Sequence, residues 1–171
     1  MTPTGRLAPT PSGHLHLGNA LAFGAAWLSA RSQGGRVLLR VEDLDRGRAR
    51  DEIAEAQRAD LRWLGLVWDE EVPPQSKRRY SLAGIPVFRC LCNRQTRLYL
   101  VCMCRGKEHE KGAWRFDSPR GEVRFFDRTG GAYAFESDED PVLMRADGEA
   151  AYPLAVVLDD HRDGVTEGVR G

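Results

Sequence analysis

Residues Arg6 to Asn19 read Arg-Leu-Ala-Pro-Thr-Pro-Ser-Gly-His-Leu-His-Leu-Gly-Asn. A short buried-strand pattern breaks at Pro9 and Pro11, because proline lacks the N–H that a strand ladder needs. Helical spacing takes over at His16-Leu17-Gly18, with Ala20, Leu21, Trp27 and Leu28 recurring behind it. A strand that turns this abruptly into a helix points the first helical turn, with its backbone N–H groups and positive dipole end, at whatever lies beyond the strand. That is a place for phosphate. Gly18 has no side chain, so a flat ring such as adenine could come close to the backbone, and His16 could donate to a phosphate oxygen. A plain strand-turn-helix with solvated histidines satisfies the same pattern.

Further along, Arg50 to Leu64 reads as an amphipathic helix with Ile53, Ala56, Leu61 and Leu64 apolar and Gly65 as its stop. Strand-like runs at Val37 to Val41, Glu122 to Phe126 and Val142 to Arg145 alternate with helices and predict an α/β sheet of the nucleotide-binding type. Pro153 can start a helix through His161, with Gly164 beyond its end. With 171 residues and 42% hydrophobic content, the chain can bury one good core, and a single domain over residues 1–171 is expected, carrying a small insertion at 88–112. No apolar run approaches a membrane span and the first residues lack a signal core, so a cytoplasmic protein without membrane contact is expected.

Charge balances at 25 basic and 25 acidic residues but is unevenly placed. From Lys77 to Arg120 there are eleven Lys or Arg against Glu108, Glu110 and Asp117. Such a basic middle can follow an RNA backbone, or be a solvated surface. All four cysteines fall in Cys90-Leu91-Cys92 and Cys102-Met103-Cys104. Two close thiolate pairs suit a tetrahedral, structural zinc, and the other reading is four separate thiols, two of them packed as small apolar residues.

Together with Arg6 to Asn19, the segments Leu39-Arg40-Val41-Glu42-Asp43-Leu44-Asp45, Ala151 to His161, and Gly164 to Gly171 resemble the signatures of the glutamyl branch of class I aminoacyl-tRNA synthetases. The resemblance implies a Rossmann-type nucleotide-binding catalytic core with a small zinc-binding insertion, and an ATP-dependent ligase that activates glutamate. His16 and Gly18 fall in the family's HIGH element, the catalytic one, and Pro9, Thr10, His16, Gly18 and Asn19 would hold ATP with its Mg²⁺. Arg6, Ala8, Thr10, Glu42, Tyr152 and Arg170 would hold glutamate, with Arg6 and Arg170 pairing with carboxylate and Glu42 with the ammonium group. His14 has no firm role in the family, and Asp159-Asp160-His161 reads as hydrogen-bonding groups near a helix end.

Within the branch, the resemblance is to shortened members that activate glutamate without tRNA and transfer it to queuosine in the anticodon of tRNA(Asp). A monomer is expected. The zinc ligands in that group are a Cys-x-Cys pair, a Tyr and a further Cys, so Cys90, Cys92, Cys102, Cys104 and Tyr99 all remain candidates. Three departures stand out. The family's lysine-bearing KMSKS-type loop lies downstream of the Arg170 motif, so a C-terminally truncated core is expected. Val156 stands where glutamyl-tRNA synthetases usually have Asn, and only nine residues separate Tyr80 from Cys90. A fragment of glutamyl-tRNA synthetase and a non-catalytic binder of ATP and glutamate are the competing readings.

Overall fold

The computed structural model describes residues 2–93, 102–137 and 139–169, which form two compact units. One is built from the chain up to Arg79 and again from Ala155, and the other is Tyr80–Leu154.

In the first unit, β1 (Thr4–Leu7), β2 (Arg36–Leu39) and β3 (Glu70–Glu71) form a parallel sheet in the order β1-β2-β3. Parallel neighbours need a crossover, and α1 (Leu17–Arg31) and α2 (Asp51–Trp63) supply the two. Leu7, Val37 and Leu39 point to one face of the sheet and pack with Ala26 and Ala30 of α1 and Leu61 of α2. Helix α1 lies very close to the sheet: a Cβ on Gly5 would stand 3.0 Å from the Cβ of Ala30. Helix α2 ends one residue before Leu64, and Gly65 takes the left-handed conformation (φ 75°) expected of a helix stop.

The alternation of β2 turns Arg36, Leu38 and Arg40 to the opposite face. There lies the closing part of α3 (Tyr152–Arg162), whose Asp160 meets Arg40. The free edge of β1 is met by the chain after α3, where the N–H groups of Thr166 and Glu167 donate to the Thr4 carbonyl.

The second unit holds β4 (Val87–Cys90), β5 (Ala113–Phe116) and β8 (Val142–Met144) in an antiparallel sheet, and a separate ribbon of β6 (Gly121–Asp127) with β7 (Gly131–Ser137). This corrects one expectation. Of the strand-like runs at 37–41, 122–126 and 142–145, only the first joins the parallel sheet. The tight turn after Asp127, in which Asp127 Oδ1 accepts from the N–H groups of Thr129 and Gly130, folds β6 straight back on β7. Strands joined that closely can only pair antiparallel. Among the described residues, no helix is long and apolar enough to cross a membrane.

Candidate active site and metal centre

The turn after β1 is held from three sides. The N–H groups of Arg40, Glu42 and Arg50 donate to the carbonyls of Leu7, Pro9 and Pro11, extending the β1–β2 pairing past the ends of both strands. Pro9 and Pro11 are fully buried, and the buried Gln57 of α2 donates from Nε2 to the carbonyls of Thr10 (2.9 Å) and Gly13 (2.7 Å). Sequence reasoning missed Gln57. Its signal was a polar residue in register with Ala54 and Leu61 on the buried stripe of α2.

His16 is the N-cap of α1. Its Nδ1 accepts from the Gly18 N–H at 3.1 Å, while Asn19 Oδ1 accepts from the His16 N–H at 3.1 Å, a reciprocal capping box. The reading of Gly18 therefore shifts. Its N–H is used by the cap, and a Cβ there would stand 3.0 Å from His16 Cε1, so any larger residue would push the imidazole aside by a few tenths of an ångström. With Nδ1 accepting, Nε2 is the nitrogen of His16 that can donate outward. His16, Gly18 and Thr10 are exposed, and Ala8 and Asn19 are half-buried.

Behind this turn lies a network of charges. Arg6 Nε donates to Asp160 Oδ1 at 2.7 Å. Arg40, with no exposed surface, reaches Glu42 (3.2 Å), Asp160 (2.7 Å) and Asp163 (3.0 Å). Arg78 donates to Asp159 (3.1 Å) and Asp163 (2.9 Å), and Gln75 Nε2 to Asp159 (3.1 Å). Burial alone would favour a neutral Arg40. The hydrogen bonds to Asp160 and Asp163 outweigh it and hold the guanidinium well above its ordinary pKa.

Four guanidiniums, those of Arg6, Arg40, Arg78 and the more exposed Arg162, thus face the four carboxylates of Glu42, Asp159, Asp160 and Asp163. Glu42 brings a buried carboxylate to the turn, a group that suits an ammonium, while Arg6 uses only Nε of its three nitrogens among the described residues. Arg6 and Glu42 come together here through Arg40 and Asp160, and Asp159, Asp160 and Asp163 prove to be the anionic half of the network. Tyr152 opens α3 within the second unit, Val156 is buried on the same helix, and Arg170 lies outside the described residues.

In the second unit, the four cysteine sulfurs all lie within 4.8 Å of one another and could hold a metal ion. Cys90 and Cys102 are 3.6 Å apart, and Cys92 stands 3.8 Å from both Cys102 and Cys104. Four sulfurs bound tetrahedrally at about 2.3 Å would be about 3.8 Å apart, whereas a disulfide needs about 2.05 Å. The cluster fits zinc. Burial works against ionisation of Cys90, but the Arg115 guanidinium and the Cys92 N–H overcome it and bring the thiol down to about 7. Burial, with the neighbouring thiols, pushes Cys92 up to about 12. Tyr99, the other candidate ligand, lies outside the described residues.

Part of the expected basic middle is internally tied down. Arg105 pairs with Asp117, Arg120 with Asp140 at 2.8 Å, and Arg115 donates to the Asp140 carbonyl at 2.8 Å.

Residues 4–86 match the family model described as tRNA synthetases class I (E and Q), catalytic domain. The glutamyl-Q tRNA(Asp) synthetase of Nitratidesulfovibrio vulgaris is 40% identical over 98% of this chain and 64% of its own length. The proteins of the same name from Deinococcus radiodurans (40% identical, 100% of this chain, 66% of the relative) and Symbiobacterium thermophilum (39%, 98% and 65%) are equally similar. The chain thus spans about two-thirds of the length of these curated relatives, 64–66%. Among solved structures, a glutamate-tRNA synthetase from Elizabethkingia anophelis superposes with a TM-score of 0.80 at 24% identity, covering 100% of this chain and 44% of that one. A glutamate tRNA ligase from Elizabethkingia meningosepticum, in complex with its amino acid, gives 0.78 at 24% identity, again over 100% and 44%.

Proposed function

We propose that the chain is a member of the class I tRNA synthetase family for glutamate and glutamine, and that it activates glutamate with ATP and transfers it to queuosine in the anticodon of tRNA(Asp). The observation that carries the amino-acid part is the buried Arg6–Asp160–Arg40–Glu42 chain of charges, which sets a carboxylate for an ammonium group near a guanidinium for a carboxylate. The names of the relatives support queuosine and tRNA(Asp).

In the first step, a carboxylate oxygen of glutamate attacks the α-phosphorus of ATP. The bond to pyrophosphate breaks, and glutamyl-adenylate forms. No protein nucleophile is needed, and the contribution of this chain is alignment and charge stabilisation. Glu42 and Arg6 hold the amino acid. Pro9 and Thr10 form the turn beside the nucleotide, and Gly18 and Asn19 fix His16 so that Nε2 and the opening turn of α1 face the phosphates, with Mg²⁺ arriving on ATP. In the second step, a nucleophilic group of queuosine attacks the adenylate carbonyl and AMP leaves. Cys90, Cys92, Cys102 and Cys104 would hold a zinc ion, which would tie the ends of the insertion together and take no part in the chemistry.

The test is incubation of the protein with labelled glutamate, ATP and tRNA(Asp) with or without queuosine. Label is expected on the queuosine-containing tRNA alone, with aspartate and glutamine failing to replace glutamate. Equal labelling of both tRNAs, or none of either, overturns the proposal.

A further inference from the structure

A second concave surface in the first unit lies apart from the turn at His16. It is a groove of about 570 Å³, floored by Leu38 and Val72 and walled by Arg36, Lys77, Arg78, Arg79 and Arg162, with Glu70 and Asp163 its only carboxylates. Small-molecule pockets are mostly apolar with a few polar groups, whereas this wall is mostly cationic. It is also cationic in a chain whose total charge is zero.

The two carboxylates are already engaged. Glu70 pairs with Arg36 at 2.8 Å, and Asp163 with Arg40 and Arg78. Lys77 and Arg79 are exposed and form no ion pair among the described residues. Arg162 uses one nitrogen on the Arg79 carbonyl, at 3.2 Å, and approaches Asp159 at 3.5 Å. Arg78 is 4% exposed, and its buried Nη2 finds no acceptor among the described residues. The charge of Arg78 thus lies beneath the groove wall, shared with Asp159 and Asp163, while Lys77, Arg79 and Arg162 present theirs outward. Arg46, held by a bond to the Ser76 carbonyl, adds a positive group next to Lys77.

We propose that this groove binds the phosphate backbone of RNA, with Lys77, Arg79 and Arg162 as exposed contacts and Arg78 as the buried cation behind them. The identity of the anion as RNA rests on the tRNA reading above. Spaced, exposed cations with no aromatic platform between them match a repeating phosphate chain and carry no base specificity. The expected basic surface from Lys77 to Arg120 is thereby narrowed to its opening residues: Arg105, Arg115 and Arg120 are tied to Asp117 and Asp140, while Lys77 and Arg79 form no ion pair among the described residues and line one groove.

The experiment measures fluorescence anisotropy of an end-labelled tRNA(Asp) transcript lacking queuosine, titrated with the full chain at several salt concentrations. The Lys77→Glu/Arg79→Glu double variant should bind at least about ten-fold more weakly and flatten the dependence of log K on log salt by about 2. Its calorimetric affinity for glutamate should be unchanged, which shows that the fold and the amino-acid site are intact. Arg124→Glu, on the exposed ribbon of the second unit, should have little effect. If wild-type chain binds the transcript and the double variant binds equally well, the groove proposal is wrong while the tRNA reading stands. The groove proposal is equally wrong if Arg124→Glu alone removes binding. If wild-type chain binds no tRNA, with or without queuosine, the tRNA reading fails and the groove proposal fails with it.

Discussion

Replacing Arg40 by Met keeps the length of the side chain and removes its charge from the centre of the network. Arg40 has no exposed surface and touches Glu42, Asp160 and Asp163 at 3.2, 2.7 and 3.0 Å. Removing one partner of a buried ion pair costs about 3–5 kcal/mol, because the remaining charge is left in a poorly solvating place. Asp160 retains Arg6 and Asp163 retains Arg78, so the lower end, about 3 kcal/mol, is expected. Against a total of about 5–15 kcal/mol, the variant still folds, though with a large share of its margin gone.

Urea unfolding measures this directly: the midpoint should fall with little change in slope. Adding Asp160→Asn to Arg40→Met should cost less than the two single losses summed, since each removes part of what the other leaves uncompensated. The sign of the pH dependence is fixed as well. A group whose folded pKa is raised contributes fully below its unfolded value and loses that contribution only as pH rises through the folded one. For Arg40 this window lies far above neutral, so its contribution is constant from acid to mildly alkaline pH. A loss below about 1 kcal/mol, in the range of surface pairs, or strict additivity with Asp160→Asn, would refute the network argument.

Three further outcomes follow from the geometry. Glu42→Ala should weaken glutamate binding by about 2–4 kcal/mol in a calorimetric titration, because the ammonium group loses its anionic partner in a partly dry site, and a folded variant with unchanged affinity removes Glu42 from the site. Asp69 accepts from the Val37 N–H at 2.7 Å and from Arg31, which hold its carboxyl below the usual range. Asp69→Asn should therefore cost about 1 kcal/mol at neutral pH, where the partly exposed wild-type carboxylate is ionised, and the difference should vanish as pH falls through the depressed pKa, as acid unfolding curves would show. The protein purified without chelator under reducing conditions should carry about one zinc per chain by elemental analysis, and Cys102→Ser should lower its hold on the metal in a chelator competition.

The turn from Pro9 to Asn19 was legible in the sequence because local chemistry determines it: prolines stop the strand, and His16, Gly18 and Asn19 can cap a helix with no help from distant residues. The end of α2 at Gly65 was legible for the same reason. The charge network was not. Arg40 sits in the strand-like run Val37 to Val41 with nothing beside it to mark a charge partner, and Asp160 and Asp163 lie more than a hundred positions away. No periodicity reports such a pairing, since it is settled by which face of the sheet α3 covers. The ribbon of β6 and β7 was half legible: the strand pattern was clear, but its neighbour depended on a turn at Asp127 that forces an immediate reversal. Only the resemblance to a known family singled out Glu42.

The first unit is discontinuous in sequence: its sheet is complete by Glu71, but the carboxylates that neutralise Arg6, Arg40 and Arg78 arrive only with residues 159–163. On a ribosome adding about 5–20 residues per second, the intervening Tyr80–Leu154 stretch takes several seconds to emerge. During that interval Arg40 has only Glu42 from the network, while Arg6 and Arg78 still lack their Asp160, Asp159 and Asp163 partners, and burying them would be costly. The nascent sheet must therefore wait, solvated, while the contiguous second unit has every residue it needs to close first. Within this sequence the second unit can thus close before the first, and the Arg6–Asp160–Arg40 network forms only once residues 159–163 are present.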